Sequence, residues 1–240
     1  MRVLVVRPSP AAARTAERLA ALGHAALAAP LLAYEPTKNP CPAGSFDILL
    51  ATSAQAFAAL DAQGEAPEQL RALALYAVGA RTHEAARRAG FRACVCVAPD
   101  ADALAREIAR LHPRGGAGAH ALYLAGVDRK PHLEAALRAM GFAVSAWEVY
   151  AAKAAAALPA PAQEALAAGA LDAALHYSRR SAEIFCALAQ AAGLAPAAAR
   201  LRHIAISPDA AAGLAALAPA DLRVAGAPEE AAMLDLLSAP

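Results

Sequence analysis

Cysteine is scarce in this chain. The four, Cys41, Cys94, Cys96 and Cys186, form no CxxC unit and share no metal-ligand spacing with histidine, which argues against a disulfide framework and a zinc site. They are expected to be reduced, structural thiols. Cys94 and Cys96 stand two apart in an apolar run, so a strand there would turn both to one side. Long apolar runs are also missing. Although 59% of the residues are apolar, much of that is alanine, which favours helix and is only mildly apolar. Charges, glycine or proline break each run before the roughly 18 residues of a membrane span, as at Gly23, His24 and Pro30. Val3 to Val6 is stopped by Arg7-Pro8, too short for the core of a signal peptide, so a cytoplasmic protein is expected.

Neither sign of charge is in excess. With 22 basic and 21 acidic residues, there is no footprint for nucleic acid or an acidic membrane, and neither is an expected partner. An anionic small molecule stays open, because helix N-termini bind anions without net positive charge. Cofactor fingerprints are lacking as well. VVRPSPAAA follows the first apolar run with no GxGxxG, and Gly115-Gly116-Ala117-Gly118 precedes a strand pattern instead of linking strand to helix. The seven histidines show no HExxH, and His176 and His203, within strand patterns, are expected to be packed rather than catalytic. No Ser/His/Asp constellation follows from spacing.

What the chain does have is an internal repeat. Arg2 to Arg7, a helical pattern with Ala12, Ala16, Leu19 and Leu22 on one face, and Gly23-His24 recur as Ala121 to Gly126, then Leu133, Ala136, Leu137 and Met140, then Gly141-Phe142. Phe46 to Ser53, followed by Phe57 and Leu60, recurs as Leu171 to Ser178, followed by Ile184, Phe185 and Leu188, with Asp matching Asp and Ser matching Ser. Leu75 to Gly79 matches His203 to Ser207, and the tail Val97-Ala-Pro99 matches Gly226-Ala-Pro228. Strands alternating with helices predict parallel sheets covered on both faces. The expected fold is α/β, with two doubly wound parallel-sheet (flavodoxin-like) lobes joined by a two-stranded linker, the first lobe discontinuous. Residues 1–33 and 152–240 make one lobe, 38–146 the other, and 34–37 with 147–151 the linker strands.

Ligands of such sheets sit at the carboxyl ends of the strands, here the turns at Arg7, Ser53, Gly79, Gly126, Ser178 and Ser207. Ser53, Thr82 and Ser178 can cap helices there while free backbone N–H groups face an anion; capping alone is the plainer reading. Ser207-Pro208-Asp209 reads as an N-cap with proline in the first turn, and Asp209 would repel an anion. Arg7, Arg129, Arg179 and Arg180 follow strand ends, where a guanidinium can grip a carboxylate; a solvated surface arginine is the alternative. Tyr150 ends the return crossing, aimed into the expected cleft or held in the core. The fold equally permits a two-lobed binding or regulatory protein that closes on an anionic ligand without chemistry.

Together the segments resemble the uroporphyrinogen-III synthase family along nearly the whole chain. The resemblance rests on Arg7-Pro8, Pro30-Leu-Leu, Ala51-Thr52-Ser53, Tyr76 to Gly79 with Thr82, the helix end at Gly141, Glu148-Val-Tyr150, and His176-Tyr-Ser178. It implies a two-domain enzyme, free of cofactor and metal, that closes the polycarboxylate hydroxymethylbilane with loss of water and inversion of the last pyrrole through a spiro intermediate. It also implies that Tyr150 assists departure of the hydroxyl and that Thr82, Ser53 and Ser178 are polar cleft positions. Two positions depart from the family pattern: Ser207 stands where glycine is common, and Ala210 where threonine is common. A monomer is expected.

Overall fold

The computed structural model describes residues 1–64 and 67–238. In chain order the elements begin with β1 (Arg2–Val5), α1 (Ala11–Ala21), β2 (Ala25–Ala28), β3 (Leu32–Pro36), β4 (Ile48–Ala51), α2 (Ala54–Gln63), α3 (Glu68–Arg71), β5 (Ala74–Val78) and α4 (Ala80–Arg88). Next come β6 (Cys94–Ala98), α5 (Ala101–Leu111), β7 (His120–Gly126), α6 (His132–Ala139), β8 (Ala143–Ala154) and α7 (Ala160–Ala167). The last are β9 (Ala173–His176), α8 (Arg179–Ala191), α9 (Ala195–Ala199), β10 (Arg202–Ala205), α10 (Pro208–Ala212), β11 (Asp221–Val224) and α11 (Glu230–Ser238). Two compact units result. A split unit holds Met1–Ala33 and Lys153–Pro240, and a continuous unit holds Tyr34–Ala152.

The split unit's sheet runs β11-β10-β9-β1-β2, all parallel. The other sheet runs β3-β8-β7-β4-β5-β6, parallel from β8 to β6. Since β7 repeats β1, β4 repeats β9, β5 repeats β10 and β6 repeats β11, equivalent strands hold equivalent places in both sheets. Each is doubly wound, with the order of strands reversing once.

Strands with both faces covered read as continuous apolar runs, because alternate residues feed different cores. In β1, Val3 and Val5 pack with α1 and α11 through Leu19, Met233 and Leu237, while Leu4 joins Leu166, Phe185 and Leu214 on the opposite face. In β4, Leu49 and Ala51 meet Phe57 and Phe91, while Ile48 and Leu50 meet Leu104, Ile108 and Leu137. On α1 the buried residues are Ala12, Thr15 and Leu19; Leu22 forms the C-cap and is 55% exposed, so the expected apolar face ends one turn sooner.

Residues 34–37 and 147–151, in the two segments that join the units, are paired with each other. Tyr34–Pro36 and 147–151 fall within β3 and β8, side by side at one edge of the six-stranded sheet, and the Thr37 N–H donates to the Val149 carbonyl at 3.1 Å. At the other edge, the register between β5 and β6 shifts after Leu75. Cys94 packs against one core layer and Cys96 against the other, so the two cysteines do not share a side.

His176 and His203 are fully buried on β9 and β10, rings stacked with centroids 5.1 Å apart beside Phe185. Where α10 ends on α8, Gly213 leaves no room for a side chain: an added Cβ would lie 2.5 Å from the Arg179 carbonyl oxygen and 2.9 Å from Ala182 Cβ. Backbone cannot swing aside as a side chain can, so Gly213→Ala is expected to cost about 1–3 kcal/mol. Denaturant melts read this as a lower midpoint at unchanged slope; an unchanged midpoint would mean the two helices separate freely.

Candidate active site

In the continuous unit the strand order reverses between β7 and β4, the point where doubly wound sheets take their ligands. Thr52 and Ser53 follow β4 directly. Ser53 is extended and caps α2, its Oγ accepting from the Gln55 N–H at 3.3 Å, which stops the strand and starts the helix. β7 ends at Gly126, and β8 brings Tyr150 beside it through a bulge. Ala125 lies opposite Glu148, but Gly126 lies opposite Tyr150, so Val149 is the extra residue and is fully buried. A bulge re-aims the side chains beyond it. The Tyr150 ring consequently stands over Gly126, where an added Cβ would be 2.7 Å from Cζ, 2.8 Å from Cε2 and 2.9 Å from the phenol oxygen. Glycine is required here for space, not for an unusual backbone angle.

Two further tyrosines complete the cluster. Tyr34 meets Tyr150 edge-on, with centroids 5.7 Å apart and planes at 83°. Tyr123, buried on β7, shares a 2.7 Å hydrogen bond with the Thr52 hydroxyl. Burial pushes the Tyr150 phenol above its ordinary value; the Ser53 hydroxyl pulls it back, Tyr123 and Tyr34 push it up, and Arg129 draws it down. Burial likewise raises Tyr123, against the Thr52 hydrogen bond and Arg129. Both phenols therefore carry their protons at neutral pH and can donate.

The neighbouring strand end is Gly79, whose φ of +79° makes the turn from β5 into α4, a conformation glycine adopts without strain. Thr82, in the first turn of α4, is buried at 3% exposure, so its hydroxyl is part of the packing beneath that edge. Arg129 is engaged within the fold. Its Nε donates to Glu134 at 2.6 Å, and its Nη1 to Glu148 at 2.8 Å and to the Gly126 carbonyl at 2.9 Å. Burial presses against its charge, but Glu148 and Glu134 outweigh that and hold the guanidinium above its ordinary value.

The corresponding point of the split unit, between β1 and β9, is closed by its own carboxylate. Arg7, just past β1, pairs with Glu230 at 2.8 Å, donates to Thr15 at 3.3 Å and lies 3.8 Å over the Tyr177 ring. Glu230 also accepts from Thr15, Tyr177 and Arg18. Burial resists its ionisation, yet these donors and the two arginines hold it below the usual carboxylate range. Ser178 caps α8, accepting from the Ser181 N–H at 3.2 Å, and Ser207 caps the five-residue α10, accepting from the Ala210 N–H at 3.2 Å. Arg179 is exposed and pairs with Glu183 at 2.9 Å and Asp209 at 3.8 Å.

The structure thus gathers Thr52, Ser53, Gly126 and Tyr150 into one cluster in the continuous unit, with Gly79 and Thr82 one strand away. Tyr34 and Tyr123 belong to these clusters without having been marked by any motif, and Glu148, within the Glu148-Val-Tyr150 segment, and Glu230 were given no role of their own. Tyr34 lies in a crossing segment that was recognised, and Tyr123 in a run of strand residues, but neither position singles out a phenol. Among the described residues, no group of three or more His, Cys, Asp or Glu side chains is placed to hold a metal ion.

The fold has solved counterparts. A mutant uroporphyrinogen III synthase from Thermus thermophilus matches over 99% of this chain and 96% of its own, at TM-score 0.54 and 22% identity. The uroporphyrinogen-III synthetase of Helicobacter pylori matches over 99% and 98%, at TM-score 0.64 and 19% identity. At these identities the likeness establishes a shared two-lobed fold. No curated protein matches the chain. The family model described as uroporphyrinogen-III synthase HemD matches residues 13–235, almost the full length, and the chain belongs to that family of cyclising lyases of porphyrin biosynthesis.

Proposed function

We propose that the chain closes hydroxymethylbilane to uroporphyrinogen III using the carboxyl edge of the continuous unit's sheet, with Tyr150 assisting departure of the hydroxyl. The observation that carries this is the Tyr150 phenol held over Gly126 at the switch point of the sheet. In this reading the Tyr150 O–H donates to the departing hydroxyl, which leaves as water. The carbon so activated is then attacked by the substituted carbon of the last ring, giving a spiro intermediate. The bond from that carbon to its original bridging carbon breaks and re-forms at the ring's free α-carbon, which inverts the ring, and the proton lost there balances the one the phenol gave.

The bilane closes without an enzyme to the uninverted isomer, so the larger task is holding one conformer of a flexible chain. Backbone N–H groups at the starts of α2 and α4, behind Ser53 and Gly79, suit its carboxylates, each worth about 0.3–1 kcal/mol. Ser178, Arg179 and Ser207 are the groups the split unit offers at its own strand ends. Arg7, engaged by Glu230, serves that unit's structure. The enzyme's place in porphyrin biosynthesis supports a cytoplasmic location. Helices covering both faces of each sheet support a single chain as the working unit.

Purified protein given freshly made hydroxymethylbilane is expected to yield mainly the type III isomer, read after oxidation and chromatographic separation. Type I alone, formed at the no-enzyme rate, would remove the synthase reading.

A further inference from the structure

Arg129 lies in the loop between β7 and α6, and its side chain turns back to the end of β7. Its Nη1 reaches the Gly126 carbonyl and Glu148, while its Nε reaches Glu134 on α6, whose side chain is only 9% exposed and is also held by Arg138 at 3.3 Å. Gly126 and Glu148 bracket the β8 bulge: Glu148 pairs with Ala125, and Gly126 with Tyr150 across the inserted Val149. The Val127 N–H, next along, donates to the Tyr150 carbonyl at 2.9 Å. One guanidinium therefore fastens the two strands on either side of the irregularity that aims the phenol.

We propose that Arg129 is a positioning residue that locks the β7–β8 bulge and so holds the Tyr150 phenol in place, in contrast to a direct grip on a substrate carboxylate. This rests on the reading of Tyr150 given above. A side-on grip on a carboxylate uses Nε together with a terminal nitrogen, and here Nε and Nη1 are divided among Glu134, Glu148 and Gly126. A bulge has no full ladder of its own, so a cross-strand brace is what keeps one geometry. Arg129 is also the cation that draws the Tyr150 and Tyr123 phenols down, which requires that it stay near both.

The test is steady-state formation of the type III isomer by Arg129→Met and Arg129→Lys, alone and combined with Tyr150→Phe, with melting curves to confirm folding. Arg129→Met is expected to lower kcat about tenfold with KM within about twofold, because a positioning group acts in the transition state. Arg129→Lys, which keeps the charge without the fork, should fall between it and the parent. In the Tyr150→Phe background the further loss should be under about twofold, since both changes remove one function. A raised KM at unchanged kcat would make Arg129 a substrate contact and overturn the proposal. So would full activity of Arg129→Met, or an undiminished loss in the Tyr150→Phe background. Full activity of Tyr150→Phe itself marks failure of the underlying reading instead. Should Arg129→Met not fold, Glu148→Gln takes its place: a fall in kcat alone supports the brace, and wild-type kcat overturns it.

Discussion

Gly126→Ala is expected to lower turnover about 100-fold while leaving the fold nearly intact, a loss equal to that of Tyr150→Phe. The new methyl would meet Cζ, Cε2 and the phenol oxygen of Tyr150, all at 2.7–2.9 Å. These atoms form the free end of a side chain, so the ring can yield where a backbone atom could not. The strain is relieved by displacing the phenol, and the price in stability stays small. In the proposed reading Gly126 leaves the space in which the Tyr150 donor stands. Tyr150→Phe removes the donor directly, and a positioned general acid is worth about 10²–10⁴ in rate. Because both substitutions cancel the same group, the double variant should be no more than a few-fold worse than either single one. Type III formation gives the rates, and equilibrium dialysis of product should show binding nearly unchanged by Tyr150→Phe. Wild-type turnover of Gly126→Ala would mean that the phenol's position is immaterial.

Comparison of the two halves explains what could be read in advance. The repeat placed Ser53 opposite Ser178 and Gly79 opposite Ser207, and the equivalent strands occupy the same places in their sheets. Periodicity and capping chemistry are local, so they survive in one dimension. The bulge at Val149 does not: a single extra residue leaves the strand as apolar as before, yet it decides that Tyr150 faces Gly126. The shift between β5 and β6, which parts Cys94 from Cys96, escaped for the same reason.

Arginine partners were equally hidden. Arg7 was expected to grip a ligand, and its carboxylate comes from Glu230, 223 residues further on. Arg129 draws Glu134 from five residues away and Glu148 from nineteen, neither at a spacing that a helix or strand rule would flag. Such internal pairing separates the two switch points: the split unit's is filled by its own ion pair, and the continuous unit's presents hydroxyl and phenol groups. The proposed reading accordingly draws on the second.

Between pH 7.5 and 5.5 the protein is expected to lose up to about 3 kcal/mol of stability through His176 and His203. Their protonation states follow from hydrogen-bond bookkeeping. His203 Nε2 lies 2.9 Å from the Ala198 carbonyl, which can only accept, so that nitrogen carries the proton. Its Nδ1 is then an acceptor, and His176 Nε2 donates to it across 2.9 Å. This leaves His176 Nδ1 as a bare acceptor, buried with no partner among the described residues. Both rings are neutral. Burial pushes His176 well below its ordinary value, reinforced by His203, and burial lowers His203 despite the Ala198 carbonyl and Asp221.

Above about pH 6.5 the rings are neutral whether folded or unfolded, and stability is fully present. As pH falls through 6.5, the unfolded chain takes up protons that the folded chain refuses. Stability then declines by up to about 1.4 kcal/mol per pH unit for each histidine. A proton on His176 Nδ1 would find no acceptor and would face His203 across a stacked contact, so the pair yields by unfolding before it charges. Denaturant midpoints measured across this range give the slope. His176→Leu is expected to be less stable at pH 7.5, since it leaves His203 Nδ1 without its donor, yet to show about half the parent's pH dependence. An undiminished slope in that variant would trace the acid sensitivity to other groups.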